Sequence, residues 1–310
     1  MAELAIPLFQ EGKLSQKKSQ GVYMNLCNPG TVKRLMEEAG ITFRKEYGQN
    51  FLIDASVPER ISELCADDAE SMILEIGPGI GCLTQELAAR YRRVVAVEID
   101  RGLIPVLAGT LSECDNVTVI EGDVMKTDLA ALVQTYSDGL PVSVCANLPY
   151  YITTPILMRL MESGVPFRTV TVMVQNEVAA RLYAGAGDSD YGAITAVLGY
   201  YGTVQRLFRV PAGAFMPAPK VDSAVIRIDL YPEPKYRPKN EKLFFGLIRA
   251  AFEMRRKTLV NAVSAKFPQY GKEKILVALE QIGQPATVRG ERLSTGDFVR
   301  LADILSEKER

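Results

Sequence analysis

Met72-Ile73-Leu74-Glu75-Ile76-Gly77-Pro78-Gly79-Ile80-Gly81 decides the fold. A short apolar run stopped by Gly-Pro-Gly reads as a buried strand ending in a tight turn. Residues 81–90, with Leu83, Leu87 and Ala88 on one face, read as the helix that this turn opens. Outward from here the alternation repeats. Strands are predicted at 94–97, 117–120, 142–146 and 169–174, and helices at 31–38, 101–111 and 155–161. Apolar, β-branched strands alternating with helices predict an α/β fold on a parallel sheet covered on both faces. Two more runs, 203–210 and 221–230, lie close enough in the chain to pair antiparallel. Beyond Tyr231-Pro232-Glu233-Pro234, residues 241–310 read as helix only, with breaks near Phe267-Pro268 and Gly283-Gln284-Pro285. The expected organisation is a tail over 1–28, an α/β domain over 29–232 and a small all-helical domain over 233–310.

Composition removes several classes of chemistry. The 310 residues include no histidine, so a Ser-His-Asp triad, a Cys-His dyad and any His-ligated metal are excluded. Cys27, Cys65, Cys82, Cys114 and Cys145 are odd in number, widely spaced and without a CxxC, which argues against a disulfide framework or a zinc site. No metal is expected, and chemistry must run on carboxylates, amides, backbone groups or a cofactor. No apolar run approaches the roughly 18 residues of a membrane span. The apolar stretch at 4–9 follows Glu3 rather than a basic segment, and the first 20 residues hold no Arg. A cytoplasmic protein without a membrane partner is expected. The net charge of −1 conceals an asymmetry: residues 201–310 carry 20 Lys+Arg against 12 Asp+Glu, leaving 16 against 25 in residues 1–200. An acidic catalytic half and a basic half that docks on a polyanion fit this split, as does chance clustering of solvated charge.

Gly77-Pro78-Gly79-Ile80-Gly81 is GxGxG at a strand-to-helix turn, which lets a ligand approach the main chain. Alone the motif is weak, and a tight turn without a ligand is its other reading. Its neighbours point further. Glu98 ends the next strand, 21 positions after Gly77, where an acidic residue holds a ribose diol in nucleotide-binding sheets. Asp123 ends the third strand, where it could accept from an adenine amino group, and Asn147 ends the fourth. Four successive strands thus deliver Gly, Glu, Asp and Asn to their carboxyl ends, where open α/β sheets bind ligands. In Asn147-Leu148-Pro149-Tyr150-Tyr151, Pro149 forces Leu148 into an extended conformation, aiming its carbonyl outward. The Asn147 amide is a second neutral acceptor beside it, and Tyr150 offers a flat ring. That set suits the exocyclic amine of a nucleobase; a rigid turn is the plainer reading of the same spacing.

Taken in order, Gly48-Gln49-Asn50-Phe51-Leu52, Leu74-Glu75-Ile76-Gly77-Pro78-Gly79, Val97-Glu98-Ile99-Asp100, Gly122-Asp123 and Asn147-Leu148-Pro149-Tyr150 resemble the motifs of the ribosomal RNA adenine dimethyltransferases. Phe215-Met216-Pro217-Ala218-Pro219-Lys220-Val221-Asp222-Ser223 resembles the family's later FxPxPxVxS element. Arg255-Arg256-Lys257-Thr258-Leu259 resembles the branch acting on small-subunit rRNA. The likeness runs from about residue 28 to the C-terminus, and Met24-Asn25-Leu26 reads as an alternative start.

The resemblance implies a class I S-adenosylmethionine-dependent methyltransferase with a Rossmann-like sheet and a helical C-terminal domain. The implied cofactor is S-adenosyl-L-methionine, at Asn50, Leu52, Gly77, Glu98, Asp123 and Asn147. The implied product is N6,N6-dimethyladenosine at two adjacent adenosines near the 3′ end of 16S rRNA, within the 30S particle or its precursor. Asn147 and Leu148 would engage the amine, and Tyr150 and Phe215 would stack on the base. Arg249, Arg255, Arg256 and Lys257 read as one helical stretch, with Arg249 and Arg256 seven apart on one face, for RNA phosphates or simply for solvent. Rival readings are a large-subunit adenine methyltransferase of the antibiotic-resistance type and a mainly non-catalytic ribosome assembly factor.

Overall fold

The computed structural model describes the strand residues 5–6, residues 24–41 and residues 50–307. The polar stretch 44–49 and the remainder of the expected tail up to residue 23 lie outside the described residues.

In chain order the elements of the α/β unit are β1 (Ala5–Ile6), α1 (Pro29–Glu38), β2 (Phe51–Leu52), α2 (Ser56–Leu64), β3 (Met72–Ile76), α3 (Cys82–Arg90), β4 (Arg93–Glu98), α4 (Ile104–Thr110), β5 (Val117–Glu121), α5 (Leu129–Tyr136), β6 (Val142–Asn147), α6 (Thr153–Met161) and β7 (Thr169–Gln175). There follow α7 (Asn176–Tyr183), α8 (Ala193–Tyr201), β8 (Gly202–Val210), β9 (Phe215–Met216) and β10 (Ser223–Leu230). The C-terminal part carries α9 (Glu241–Glu253), α10 (Leu259–Lys266), α11 (Gly271–Gln281) and α12 (Thr295–Ser306).

One eight-stranded sheet runs in the order β1-β5-β4-β3-β6-β7-β10-β8. The five central strands are parallel, in the register Ile76↔Val97 and Ile76↔Ala146 around β3. All five residues of β3 are buried, as a strand covered on both faces requires. The flanks depart from the all-parallel expectation. Strand β10 runs antiparallel to β7 from Ser223↔Gln175 to Asp229↔Thr169, and residues 5–6, expected to be tail, pair antiparallel with β5. Strand β8 lies outside β10, with Gln205 opposite Asp229 and Arg209 opposite Asp222, so the expected late pair of strands does run in opposite senses.

After β3 the chain moves to one side for β4 and β5, then crosses back to place β6 on the other side of β3. In an open α/β sheet that reversal opens a crevice at the carboxyl ends of the two strands. Gly77 and Asn147 stand at those ends.

Some local signals act more sharply than anticipated. Helix α1 starts at Pro29, two residues before the expected start, because the Asn28 side chain accepts the N–H groups of Gly30 and Thr31 and Pro29 suits the first turn. Helices α2, α5, α7 and α8 go beyond the helices expected from the sequence. The chain forms two compact units, Met1–Ala179 with Gln205–Leu230, and Ala180–Val204 with Tyr231–Arg310. The Pro-rich stretch coincides with one crossing of the chain from the first to the second, and α8 belongs to the helical unit. Within that unit the Tyr191 hydroxyl donates to the Leu293 carbonyl at 2.9 Å, Thr295 Oγ1 donates to the Ala196 carbonyl at 2.8 Å, and the Tyr200 ring packs on Phe244 and Phe245.

Candidate active site

A cleft at the switch between β3 and β6 encloses about 820 Å³, open solvent at its mouth included. Its floor is the glycine turn. Gly77 and Gly81 have φ of 69° and 94°, in the left-handed region that favours glycine. A β-carbon on Gly81 would stand 3.1 Å from Leu111 Cδ2 and 3.2 Å from Thr110 Oγ1, so glycine there lets α4 close against the turn. Above Gly77 nothing lies within 4 Å of the same position, which leaves space for a ligand against the backbone.

Two buried carboxylates face this floor. Glu98 accepts the Asp100 N–H at 2.8 Å and the Gly79 N–H at 3.2 Å. Burial lifts its pKa to about 7 despite those hydrogen bonds. An ionised carboxylate has about four acceptor sites, so these N–H groups leave acceptor capacity for a ribose hydroxyl. Glu75, inside β3, is 1% exposed, and its Oε2 has no hydrogen-bond partner. Burial, together with the like charge of Glu98, lifts its pKa to about 8. An ionised carboxylate in that position lacks a counter-charge, so it suits a cationic ligand group such as an amine. Sequence reading overlooked Glu75, although a lone acid in an otherwise apolar strand was the available signal. Ile99, 49% exposed, was also overlooked; it gives the mouth an apolar wall against which a flat ring can lie.

The opposite wall is the turn after β6. Asn147 Nδ2 donates to the Asn50 carbonyl at 3.4 Å, which leaves the amide oxygen as the acceptor. The Leu148 N–H donates to the Met173 carbonyl at 3.2 Å and its side chain is buried. The Pro149 carbonyl accepts from the Ile152 N–H and the Thr153 hydroxyl, while the Leu148 carbonyl takes no hydrogen bond from any described residue. Two acceptors, one amide and one backbone, are thus left without a donor from the described residues on consecutive residues that line the cleft. The Tyr150 hydroxyl pairs with Ser223 Oγ at 2.8 Å, and burial holds the phenol above its ordinary pKa, hence neutral.

Of the residues anticipated for the site, Asn50, Leu52, Gly77, Glu98, Asn147, Leu148 and Tyr150 line this one cleft. Asp123 and Phe215 do not. The Asp123 carboxylate accepts the Met125 N–H at 2.9 Å and lies 3.5 Å from Lys126 Nζ. Phe215 is 3% exposed, because the short antiparallel ladder Leu52↔Phe215 turns both side chains into the core with Ile73, Val225 and Met173. Its ring packs beside Leu52, one of the residues that line the cleft.

The expected basic helical stretch is also different in the structure. Helix α9 ends at Glu253, so Arg249 is helical while Arg255, Arg256 and Lys257 lie on the turn before α10; the shared face between Arg249 and Arg256 does not exist. Arg255 donates to Glu291 at 2.9 Å and to the Ser189 carbonyl at 2.6 Å. Arg249, Arg256 and Lys257 are exposed and have no side-chain partner among the described residues.

A sheet with this reversal, a glycine turn under a ribose-type carboxylate and paired acceptors above it define an S-adenosylmethionine-dependent methyltransferase with a Rossmann-like α/β unit and a helical C-terminal unit. Residues 40–307 match the family described as Ribosomal RNA adenine dimethylase, and the chain belongs to that family. It is 47% identical over 286 residues to the Ribosomal RNA small subunit methyltransferase A of Lachnoclostridium phytofermentans, covering 91% of this chain and 98% of that one. It is 45% identical over 285 residues to the protein of the same name from Streptococcus pneumoniae serotype 2, with the same coverages. Among solved structures it resembles a dimethyladenosine transferase from Plasmodium falciparum, with a TM-score of 0.69 and 25% identity over 81% of this chain and 95% of that one. It also resembles the 23S rRNA methyltransferase ErmE, with a TM-score of 0.66 and 26% identity over 83% of this chain and all of that one. The residues present fit S-adenosylmethionine: Glu98 for the ribose, the space over Gly77 for main-chain approach, and the orphaned Glu75 oxygen for the amino group.

Proposed function

We infer that the protein transfers methyl groups from S-adenosylmethionine to N6 of two adjacent adenosines near the 3′ end of 16S rRNA, giving N6,N6-dimethyladenosine. The substrate form is the 30S particle or its precursor in the cytoplasm. The observation that carries this reading is the pair of acceptors, Asn147 Oδ1 and the Leu148 carbonyl, at the cleft that Glu75 and Glu98 prepare for the cofactor. The named relatives at 45–47% identity favour the small subunit over the large-subunit alternative.

The N6 lone pair of adenine is delocalised into the ring and is a weak nucleophile. In the first transfer Asn147 and the Leu148 carbonyl would accept its two N–H groups, and in the second the one that remains. They favour a more tetrahedral nitrogen and aim the lone pair into the cleft, and after each transfer the cationic nitrogen releases its proton to water. S-adenosylmethionine supplies a methyl group already activated on sulfonium, with a neutral thioether as leaving group. The chain's contribution is therefore placement and preorganised hydrogen bonding, which needs no strong base and suits a chain without histidine. The base must leave its stack to reach the turn, where the Tyr150 ring, held by Ser223, is the face it meets. Arg249, Arg256 and Lys257 supply positive charge for RNA phosphates.

Labelled methyl transfer to undermethylated small subunits, with large-subunit rRNA as the control, tests this reading. Label in dimethyladenosine of small-subunit RNA alone is the expected result; label in large-subunit RNA would refute it.

A further inference from the structure

The Tyr150–Ser223 hydrogen bond of 2.8 Å ties the turn at 149–152 to the segment at 217–223. On each side of that tie one residue stands out. Tyr151 is 62% exposed, the highest value among the exposed large apolar side chains described, while its neighbours Tyr150 and Ile152 are half-buried. Lys220 is exposed. Neither has a side-chain hydrogen bond or ion pair with a described residue. The acid nearest Lys220 in sequence, Asp222, is already engaged: it accepts from Arg209 Nε at 2.8 Å and from the Ala212 N–H at 2.9 Å. Val221, 46% exposed, adds an apolar surface to the same segment.

A bare ring and an unpaired ammonium flanking a nucleobase site are the two elements with which proteins hold single-stranded nucleic acid: bases stack on rings, and cations follow the phosphates. The reaction concerns two adjacent adenosines, so the strand must continue beyond Tyr150, which lines the cleft and is tied to Ser223, past the neighbouring Tyr151 and the segment that carries Lys220.

We propose that Tyr151 and Lys220 seat the nucleotide adjoining the one being methylated, with its base on the Tyr151 ring and its phosphate against Lys220. This rests on the reading of the cleft as an RNA adenine site. Both residues are then positioning groups that register the strand so that one adenosine enters the cleft while its neighbour is held.

The test is steady-state methylation of undermethylated small subunits by the wild type, Tyr151→Ala, Tyr151→Phe and Lys220→Gln, with cofactor affinity and thermal unfolding measured alongside. Tyr151→Ala should raise KM for the subunit on the order of tenfold, with kcat, cofactor affinity and unfolding temperature unchanged. Tyr151→Phe should behave as wild type, because stacking needs the ring and not the hydroxyl. Lys220→Gln should make the slope of log K against log salt shallower by roughly 0.7, the value for one single-strand phosphate. Reconstituted subunits with an abasic residue beside the target should cost the wild type the same factor and cost Tyr151→Ala nothing more. An unchanged KM for Tyr151→Ala, or equal losses for the Phe and Ala variants, overturns the proposal while wild-type methylation stands. Absence of methylation by the wild type would remove the underlying reading and the proposal together.

Discussion

Glu98 at the end of β4 accepts the Gly79 N–H at 3.2 Å, so the carboxylate proposed for the ribose also fixes the glycine turn beside it. The two parts of the cofactor floor are therefore one unit, and a change at Glu98 disturbs both.

Glu98→Ala should lower S-adenosylmethionine affinity at least tenfold, since each hydrogen bond to a charged group contributes about 1.5–3 kcal/mol. The wild-type affinity should also depend on pH. The carboxylate form is the acceptor for the ribose, and burial raises the Glu98 pKa to about 7. Affinity should therefore fall as pH drops below about 7, and Glu98→Gln should lose that part of the pH dependence while the part set by Glu75 remains. Calorimetry on either side of that pKa measures this; unchanged affinity in Glu98→Ala refutes the assignment.

Glu75 yields a prediction about stability. Its folded-state pKa of about 8 lies above the ordinary 4.5, so the folded state holds the proton more tightly than the unfolded chain. That contribution is full below about 4.5 and is lost as pH rises through 8. The cofactor-free protein should melt lower near pH 9 than near pH 6, and Glu75→Gln should remove part of that decline, by up to roughly a few kcal/mol. The same variant should bind S-adenosylmethionine more weakly, because the amine loses its counter-charge. A melting profile that Glu75→Gln leaves unaltered would show that this carboxyl does not titrate in the window.

Asn147→Ala removes one of the two acceptors at the reacting amine. Loss of one preorganised hydrogen-bonding group lowers rates on the order of 10²–10³-fold. Single-turnover methylation at saturating cofactor should show that drop, and a wild-type rate would refute the role.

The glycine turn, Glu98 and Asn147 are legible in the sequence because each ends a strand, and a parallel sheet carries every such end to one edge. Phe215 is not, because its motif says nothing of the two-residue ladder that turns its ring inward beside Leu52. Helix α8 is apolar along most of Ala193–Tyr201 and shows little amphipathic pattern, so nothing local ties it to its distant partners at Glu241 and Thr295. The break between Arg249 and Arg255 does have a local sign. Thr258 caps α10 by accepting the Asn261 N–H, and a cap at that position requires the preceding helix to have ended.

That break separates the basic residues into two kinds with different expected behaviour. Arg255 holds Glu291 and the Ser189 carbonyl, which fastens the loop before α8 to the turn before α12. Because its side chain is 45% exposed, Arg255→Gln should cost no more than about 1 kcal/mol of stability. Arg256 and Lys257, with no such partners among the described residues, are available to phosphates. Replacing both by Gln should weaken binding to small subunits and leave cofactor affinity unchanged. The slope of log K against log salt should become shallower by roughly 0.7–0.9 for each phosphate that is no longer neutralised. Arg255→Gln should leave that slope nearly parallel to the wild type. A salt titration of subunit binding for the three proteins separates the roles. If Arg255→Gln shifts the slope and the Arg256/Lys257 double variant does not, the RNA runs along the Glu291 side of the turn, and the Arg255 ion pair opens when it binds.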